Sequence, residues 1–184
     1  QIAGKKPGVI TKVGLGTYVD PRIEGGKASP CTTEDLVKLI EIEGEEWLLY
    51  KSFPVDVAVI RGSTCDENGN MTMDREGLLL EALPMAQAAK NSGGIVIAQV
   101  EYQAQANTLH PKSVKVPGAL IDYIVVAKPE NHMQTAGTYY NPAIAGDSKM
   151  PLAGLEPMPF DARKIIARRG AMELIPNTVI NLGI

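Results

Sequence analysis

The sequence predicts an α/β fold in which helices pack on a mixed or parallel β-sheet. Residues 55–60 (V-D-V-A-V-I) form a short, nearly continuous apolar run, which is typical of a strand covered on both faces. Residues 78–90 are rich in Leu and Ala and predict a helix, and residues 95–101 (I-V-I-A-Q-V-E) predict a second strand. A strand, a helix and a strand in this order indicate a βαβ unit, from which parallel sheets are built.

The first third of the chain predicts a strand, a glycine-rich loop and a β-hairpin. Residues 8–13 contain mainly β-branched side chains, which are typical of a strand. Residues 39–42 and 46–50 flank an E-G-E sequence, and we expect them to form a hairpin or meander. Trp47 lies in the second of these runs, where it is more typical of a sheet-face anchor than of a side chain that stacks on adenine.

The middle of the chain predicts a tight turn, an interrupted helix and a further strand. The D-E-N-G-N sequence at 66–70 lacks the ligand series of a calcium loop, and its N-G dipeptide predicts a hairpin turn into Met71. Pro84 should kink or divide the helix at 78–90, and the N-S-G-G that follows should end it. Residues 120–127 are apolar and predict the next strand.

The last third of the chain has a different composition. Residues 128–160 are rich in Pro, Gly, Asn, Met and Tyr without periodicity, which predicts a linker or a long crossing segment. A helix is predicted over 161–174, with Asp161 as its N-cap, and a strand over 178–184. Because the chain begins at Gln1 without a starting signal and ends inside an apolar run, we expect an internal fragment.

Composition excludes several classes of function. The hydrophobic fraction of 45% allows a buried core, and the aromatic fraction of 5% means that this core must be aliphatic. A net charge of −3 without a basic block argues against a nucleic-acid partner. No apolar run is long enough for a membrane span, and two distant cysteines do not form a disulfide framework. We therefore expect a cytoplasmic protein without a membrane partner.

Residues 13–27 (V-G-L-G-T-Y-V-D-P-R-I-E-G-G-K) are the most informative stretch. Gly14 and Gly16 bracket one side chain, which permits positive φ angles and a close approach of the backbone to a ligand. Asp20 starts a D-P-R sequence that predicts a turn, since Pro fixes φ and Asp can bond a downstream amide. The stretch thus contains a carboxylate, a guanidinium and an ammonium group, so the loop could form one wall of an anionic ligand site. The same residues also fit a surface loop that only turns corners, since G-x-G alone is a weak signal.

Glu101 is the best local candidate for a catalytic carboxylate. It ends the strand predicted at 95–101, and open α/β sheets place ligand sites at the carboxyl ends of their strands. A solvated strand end or an ion pair would give the same pattern. His110 and His132 lie in predicted loops without Cys, His or carboxylates at metal-ligand spacing, so we predict no metal site.

Four ordered blocks of sequence resemble short-chain acyl-CoA transferases of the acetate/propionate type, in which both halves are fused in one chain. They are K-P-G-V-I-T-K-V-G-L-G-T-Y-V-D-P-R-I-E-G-G-K, residues 58–70, residues 88–101, and residues 168–184, which end in V-I-N-L-G-I. The resemblance spans nearly the whole chain but only the middle of such an enzyme. It implies a CoA-transferase-like α/β fold that is apparently truncated at both ends.

The resemblance also implies a division into domains. Residues 1–127 would be the later part of the first CoA-transferase-like domain, and residues 128–160 a linker or crossing segment. Residues 161–184 would then begin the second domain. In the family, two related α/β domains share one active site.

The activity implied by the resemblance is transfer of CoA from a short-chain acyl-CoA to a free carboxylate. A glutamate carboxylate forms a glutamyl-CoA thioester, and CoA is a substrate, with no other cofactor. The family's nucleophile lies in a Ser-Glu-Asn-Gly type motif that this sequence lacks, so the catalytic Glu is expected downstream and none is assigned here. The implied substrate-binding residues are Gly14, Leu15, Gly16 and Thr17, and a Cβ at either glycine should push the loop into the acyl site.

The implied partners are acyl-CoA, a short-chain carboxylate and the missing flanking parts of the parent chain, which is expected to be a homo-oligomer. The segment alone should be inactive. Two alternatives stay open: an acyl-CoA hydrolase or lyase subunit on the same scaffold, and a non-catalytic α/β binding module.

Overall fold

A computed structural model describes residues 1–181. These residues form ten strands and three α-helices, which in chain order are β1 (Gly8–Thr11), β2 (Val37–Ile42), β3 (Glu45–Lys51), β4 (Val57–Arg61), β5 (Thr64–Asp66), β6 (Met71–Thr72), α1 (Ala82–Ser92), β7 (Ile95–Val100), β8 (Tyr102–Ala104), β9 (Val114–Val116), β10 (Tyr123–Val126), α2 (Pro142–Ala145) and α3 (Ala162–Ala171). The strands make one antiparallel, one parallel and one mixed sheet. The predicted α/β class is confirmed.

The antiparallel sheet has the strand order β1-β3-β2 and contains the predicted hairpin. Ile42 pairs with Glu45, so Glu43 and Gly44 alone make the turn. Their φ angles are +52° and +80°, the left-handed conformation that two-residue hairpin turns require. Trp47 lies half-buried in β3, as expected of a sheet residue.

The parallel sheet has the strand order β10-β7-β4 and confirms the predicted βαβ unit. Helix α1 lies in the connection from β4 to β7, which also contains β5 and β6. The helix packs on β4 and β7 through small side chains, of which Ala86 and Ala89 are fully buried. Small residues allow the helix to approach the sheet closely. The core around them is aliphatic, with Ile60, Val96 and Val100 almost inaccessible to solvent.

Helix α1 begins later than predicted, and the expected kink at Pro84 is absent. The helix starts at Ala82, which places Pro84 in its first turn. Backbone N–H groups in the first turn have no partner within a helix, so a proline is accommodated there without breaking a hydrogen bond. Gly93, with a φ of +82°, ends the helix as expected.

The mixed sheet (order β8-β5-β6-β9) contains the D-E-N-G-N turn. The turn joins β5 to β6 as a hairpin, as predicted. The carboxylate of Asp66 is buried and accepts hydrogen bonds from the amides of Asn68 (3.0 Å) and Asn70 (2.8 Å). It also accepts from the amide of Asn107 at 3.2 Å, so one acidic side chain fixes two loops.

The chain divides into two compact units, Gln1–Asp147 and the residues from Ser148 onward. Residues 128–147, the first part of the predicted linker, therefore belong to the first unit. In the second unit α3 begins at its predicted N-cap, where Asp161 Oδ1 accepts a hydrogen bond of 2.9 Å from the amide of Lys164.

The strand predicted at 178–184 is not found over residues 178–181, and residues 182–184 lie outside the described part of the chain. A strand forms only through ladder hydrogen bonds to a neighbour, and no other strand occurs among the described residues of the second unit. No helix within residues 1–181 has the length and apolar character needed to cross a membrane.

Candidate functional site

The glycine loop between β1 and β2 is closed by local hydrogen bonds. Gly14 and Gly16 have φ angles of +104° and +71°, so both adopt conformations that favour glycine, as predicted. The carbonyl of Gly14 accepts from the amide of Thr17 (3.0 Å) and from its hydroxyl (2.7 Å). Leu15 donates its amide to the carbonyl of Lys12 at 3.2 Å. The loop is therefore a set of tight turns.

The two glycines have different surroundings. A Cβ at Gly14 would lie 2.3 Å from the Tyr50 hydroxyl oxygen and 2.7 Å from a methyl group of Val19. A Cβ at Gly16 would meet nothing within 4 Å. Gly14 is therefore required by packing within the first unit, whereas only the positive φ restricts Gly16 and its exposed face is free to contact a ligand.

Asp20 organises the loop, although the sequence indicated only that it starts a turn. Its side chain is 1% exposed, and Oδ2 accepts a 2.9 Å hydrogen bond from the amide of Gly16. Oδ1 accepts from the amide and from Nε of Arg22, both at 3.0 Å, and Arg22 Nη2 lies 2.8 Å from Oδ2. Hydrogen bonds from the Arg22 side chain and from these amides hold the pKa of Asp20 well below its usual range.

The cationic groups of the loop are already paired with carboxylates. Arg22 Nη1 lies 2.9 Å from Glu46 Oε1 in addition to its contact with Asp20. Lys27 forms an ion pair with Asp35. An anionic ligand at this loop would therefore have to compete with these carboxylates, so the surface suits a neutral part of a ligand better than a phosphate.

A second candidate site lies at the carboxyl end of the parallel sheet. Glu101 follows β7 directly and is 8% exposed. Its carboxylate lies 3.0 Å from Arg75 Nε and accepts a hydrogen bond from the Tyr139 hydroxyl. The Arg75 guanidinium is in turn stacked over the ring of Tyr140, with 3.8 Å from Cζ to the ring centroid.

These contacts favour the ion-pair interpretation of Glu101 over the catalytic one. Burial by itself would raise the pKa of Glu101, but hydrogen bonds from Tyr139 and Tyr102 and the charge of Arg75 outweigh it, so the pKa lies below its usual value. The same contact with Glu101 is the main reason that the pKa of Tyr139 rises to about 12. A carboxylate with its lone pairs engaged in this way is a weak nucleophile.

Three charged or titratable side chains lie next to this cluster. Arg61, the last residue of β4, is 3.2 Å from Glu76, whose other carboxylate oxygen is 3.6 Å from Nε2 of the buried His132. Arg61 and Glu76 line a cavity of about 390 Å³ together with Gln134. Sequence reasoning missed this cluster because its members come from three separate segments.

The structure does not join the two candidate sites. The glycine loop belongs to the antiparallel sheet and Glu101 to the end of the parallel sheet, and no described hydrogen bond or ion pair connects them.

Elsewhere in the first unit, an apolar cavity of about 500 Å³ is lined by Val9, Tyr50 and Met85, among other residues. Within residues 1–181 no group of three His, Cys, Asp or Glu side chains is arranged to hold a metal ion.

Comparison with known proteins assigns the family. The coenzyme A transferase family model matches residues 3–127. The chain is 61% identical over 185 residues to caffeate CoA-transferase of Acetobacterium woodii, a match that covers all of this chain and 35% of that protein. It is 43% identical over 182 residues to acetate CoA-transferase YdiF of Escherichia coli K12, covering 99% of this chain and 34% of that protein.

A solved structure agrees with these matches. The crystal structure of the acyl-CoA transferase YdiF apoenzyme from Escherichia coli O157:H7 superposes with a TM-score of 0.82 at 42% identity, over 94% of this chain and 32% of that one. The chain thus spans about a third of the length of its curated relatives. With a family model that matches most of its length, the chain belongs to the coenzyme A transferase family.

Proposed function

We propose that this chain is part of a CoA-transferase that moves CoA between a short-chain acyl-CoA and a free carboxylate. The observation that supports this most strongly is the 61% identity to a CoA-transferase along the entire chain. The likeness includes both the glycine loop and the βαβ core, so it does not depend on one motif. The chain would supply about a third of the enzyme's polypeptide, flanking sequence would supply the remainder, and the complete polypeptide would form a homo-oligomer.

The chemistry we propose divides the exchange into covalent steps. A glutamate carboxylate attacks the thioester carbonyl and expels the CoA thiolate, which leaves an acyl-glutamyl anhydride. The thiolate then attacks the glutamyl carbonyl of that anhydride, which releases the free acid and forms glutamyl-CoA. A second carboxylate reverses these steps and leaves as the new acyl-CoA. No redox partner is needed, because each step exchanges one acyl bond for another.

We place the nucleophilic glutamate outside this chain. The Ser-Glu-Asn-Gly sequence is absent from it, and Glu101, its best local candidate, is buried in an ion pair with Arg75. The contribution of this chain would be the wall formed by Gly14, Leu15, Gly16 and Thr17 beside the acyl group. The open face of Gly16 supports this assignment, because backbone without a Cβ allows a ligand to approach closely.

A chimera would test the proposal. The 184 residues would replace the matched 185 residues of the Acetobacterium relative. We expect the chimera to transfer CoA from acetyl-CoA to at least one acid in a panel of short-chain and aromatic carboxylates. The 184-residue chain alone should give no transfer, and the intact relative is the positive control. A chimera that folds and oligomerises like the relative but transfers no CoA would refute the proposal.

The same chimera would locate the nucleophile. Incubation with acyl-CoA followed by borohydride reduces a glutamyl-CoA thioester to an alcohol, which mass spectrometry of a digest can assign to one residue. We expect the reduced residue to lie outside the 184 residues. Reduction of Glu24, Glu67 or Glu101 that depends on acyl-CoA would move the active site into this chain and would contradict the assignment.

A further inference from the structure

Residues 128–147, which we call the strap, are bonded to the carboxyl end of the parallel sheet instead of forming a free linker. Gln99 of β7 donates from Nε2 to the carbonyl of Asn131 at 3.1 Å. Arg61 of β4 donates from Nη2 to the carbonyl of His132 at 3.3 Å. Gln134 donates from Nε2 to the carbonyl of Arg75 at 2.8 Å. The strap is therefore held by polar contacts with β4, β7 and the loop that contains Arg75, and by the contact of Tyr139 with Glu101.

His132 is the most deeply buried residue of the strap, with 3% of its surface exposed. Its Nδ1 lies 3.2 Å from Gln99 Nε2, and the amide group can only donate there, so Nδ1 accepts and the proton of the neutral ring lies on Nε2. That Nε2 is buried and has no hydrogen-bond partner among residues 1–181, since Glu76 Oε1 is 3.6 Å away. Gln99 therefore makes the one ring hydrogen bond of His132 found within residues 1–181, and the carbonyl of Gly62 is a further polar neighbour of the ring.

Protonation of His132 would break that contact. A second proton must add to Nδ1, which places an N–H donor opposite the N–H donor of Gln99. Rotation of the Gln99 amide would restore an acceptor for Nδ1 but would remove the donor from the carbonyl of Asn131. In either arrangement the strap loses one of its hydrogen bonds to β7.

The charges that face His132 do not compensate for this loss. Two cations and two carboxylates surround the ring, and they are already paired as Arg61 with Glu76 at 3.2 Å and Arg75 with Glu101 at 3.0 Å. Burial, and then the charge of Arg61, lower the pKa of His132, and the nearby carboxylates Glu76 and Glu101 and the carbonyl of Gly62 only partly oppose them. The folded strap therefore prefers the neutral ring.

We propose that His132 is a pH-sensitive pin, whose neutral form holds the strap on the edge of the parallel sheet and whose protonation releases it. The free ring binds its proton below about pH 6.5, so the closed strap is fully stable above that pH and loses stability as the pH falls toward the lower pKa of the buried ring. Release would remove Tyr139 from Glu101 and would free the segment that directly precedes the second unit in sequence. This inference goes beyond the proposed function and does not depend on it.

Hydrogen exchange of the full 184-residue chain would test the role of His132 as a pin. The exchange would be measured by mass spectrometry between pH 5 and pH 8, and each rate would be corrected for the intrinsic rate at that pH. Protection of amides in residues 129–141 should be constant well above pH 6.5 and should then fall as the pH decreases, by at most tenfold per pH unit, the limiting slope for one bound proton. Amides of α1 should keep their protection over the same range. Constant protection of residues 129–141 from pH 5 to pH 8 would overturn the proposal.

Two variants distinguish the pin from other titrating groups. His132→Gln should remove the pH dependence of the strap, whereas His110→Gln, at the only other histidine and in an exposed loop, should retain it. A slope that survives in His132→Gln or disappears in His110→Gln would refute the assignment. If His132→Gln does not fold, the native slope and the His110→Gln variant still decide the question.

Discussion

Replacement of Gly14 by alanine should destabilise the first unit much more than replacement of Gly16. At Gly14 the new Cβ would lie 2.3 Å from the Tyr50 hydroxyl oxygen and 3.1 Å from a methyl group of Leu48, so neighbouring side chains must move. Overpacking of this kind costs about 1–3 kcal/mol, and the left-handed backbone costs alanine about 1–2 kcal/mol more. We therefore expect the free energy of unfolding to fall by about 3 kcal/mol.

At Gly16 only the backbone term applies, because a Cβ there meets nothing within 4 Å. We expect Gly16→Ala to lower the free energy of unfolding by about 1 kcal/mol, the cost of a positive φ for alanine. Urea unfolding followed by the fluorescence of Trp47, the single tryptophan, would compare the two variants through a reporter on β3. The predicted difference of about 2 kcal/mol exceeds the error of such measurements.

The Tyr50→Phe background provides the matched control. Phenylalanine removes the hydroxyl that would collide with the new Cβ, so part of the cost of Gly14→Ala should be recovered, with a coupling energy of about 1 kcal/mol. It should change the cost of Gly16→Ala by no more than a few tenths of a kcal/mol. Equal losses for the two glycine variants, or no coupling with Tyr50, would show that the packing argument is wrong. In the chimera, Gly16→Ala should lower kcat/KM by more than its small stability cost explains.

Three further predictions concern buried polar groups of the first unit. Glu101→Gln should lower the free energy of unfolding by about 2 kcal/mol, because it leaves the partly buried Arg75 without its carboxylate. Urea unfolding would measure this loss, and an unchanged stability would contradict the ion-pair role. Asp66→Ala should lower the free energy of unfolding by about 3 kcal/mol in the same assay, because it leaves several loop amides without an acceptor. A loss below about 1 kcal/mol would refute this explanation. Burial raises the pKa of the Cys65 thiol to about 11. Iodoacetamide at pH 8 should therefore alkylate the exposed Cys31 and spare the buried Cys65 until the chain unfolds. Rapid modification of both cysteines in the native state would contradict this prediction.

Elements determined by local sequence could be predicted. The βαβ unit follows from apolar runs whose lengths match strands and a helix. The E-G-E turn follows from the left-handed φ that two-residue turns require, and the N-G turn follows from the positive φ that its glycine, Gly69, adopts in a longer loop. Positive φ angles at Gly14 and Gly16 follow from the same reasoning. In each case the residues that decide the structure lie within a few positions of one another.

Features that depend on distant residues could not be predicted. Asp20 was recognised as a turn residue, but its burial depends on Arg22, whose guanidinium is positioned partly by Glu46 from β3. Pro84 was expected to divide a helix because the run of leucines before it has a helical composition, and the structure starts the helix only at Ala82. The strap lies in the segment that was predicted to be a linker or a long crossing segment. The sequence could not decide between the two, because the strap's hydrogen bonds join side chains of β4 and β7 to its backbone, and such bonds leave no periodic pattern in a sequence.

Glu101 shows why the position of a residue in a fold does not by itself assign its role. The end of a parallel strand is where ligand sites form in open α/β sheets, and that rule made Glu101 the best local candidate for a nucleophile. The strap brings Tyr139 to the same carboxylate from 38 positions further along the chain, and Arg75 reaches it from the segment before α1. Attack on a thioester would require Glu101 to give up both contacts and leave the Arg75 charge unpaired. The geometry therefore favours a scaffold in which this carboxylate holds the strap and a glutamate outside the chain performs the proposed transfer.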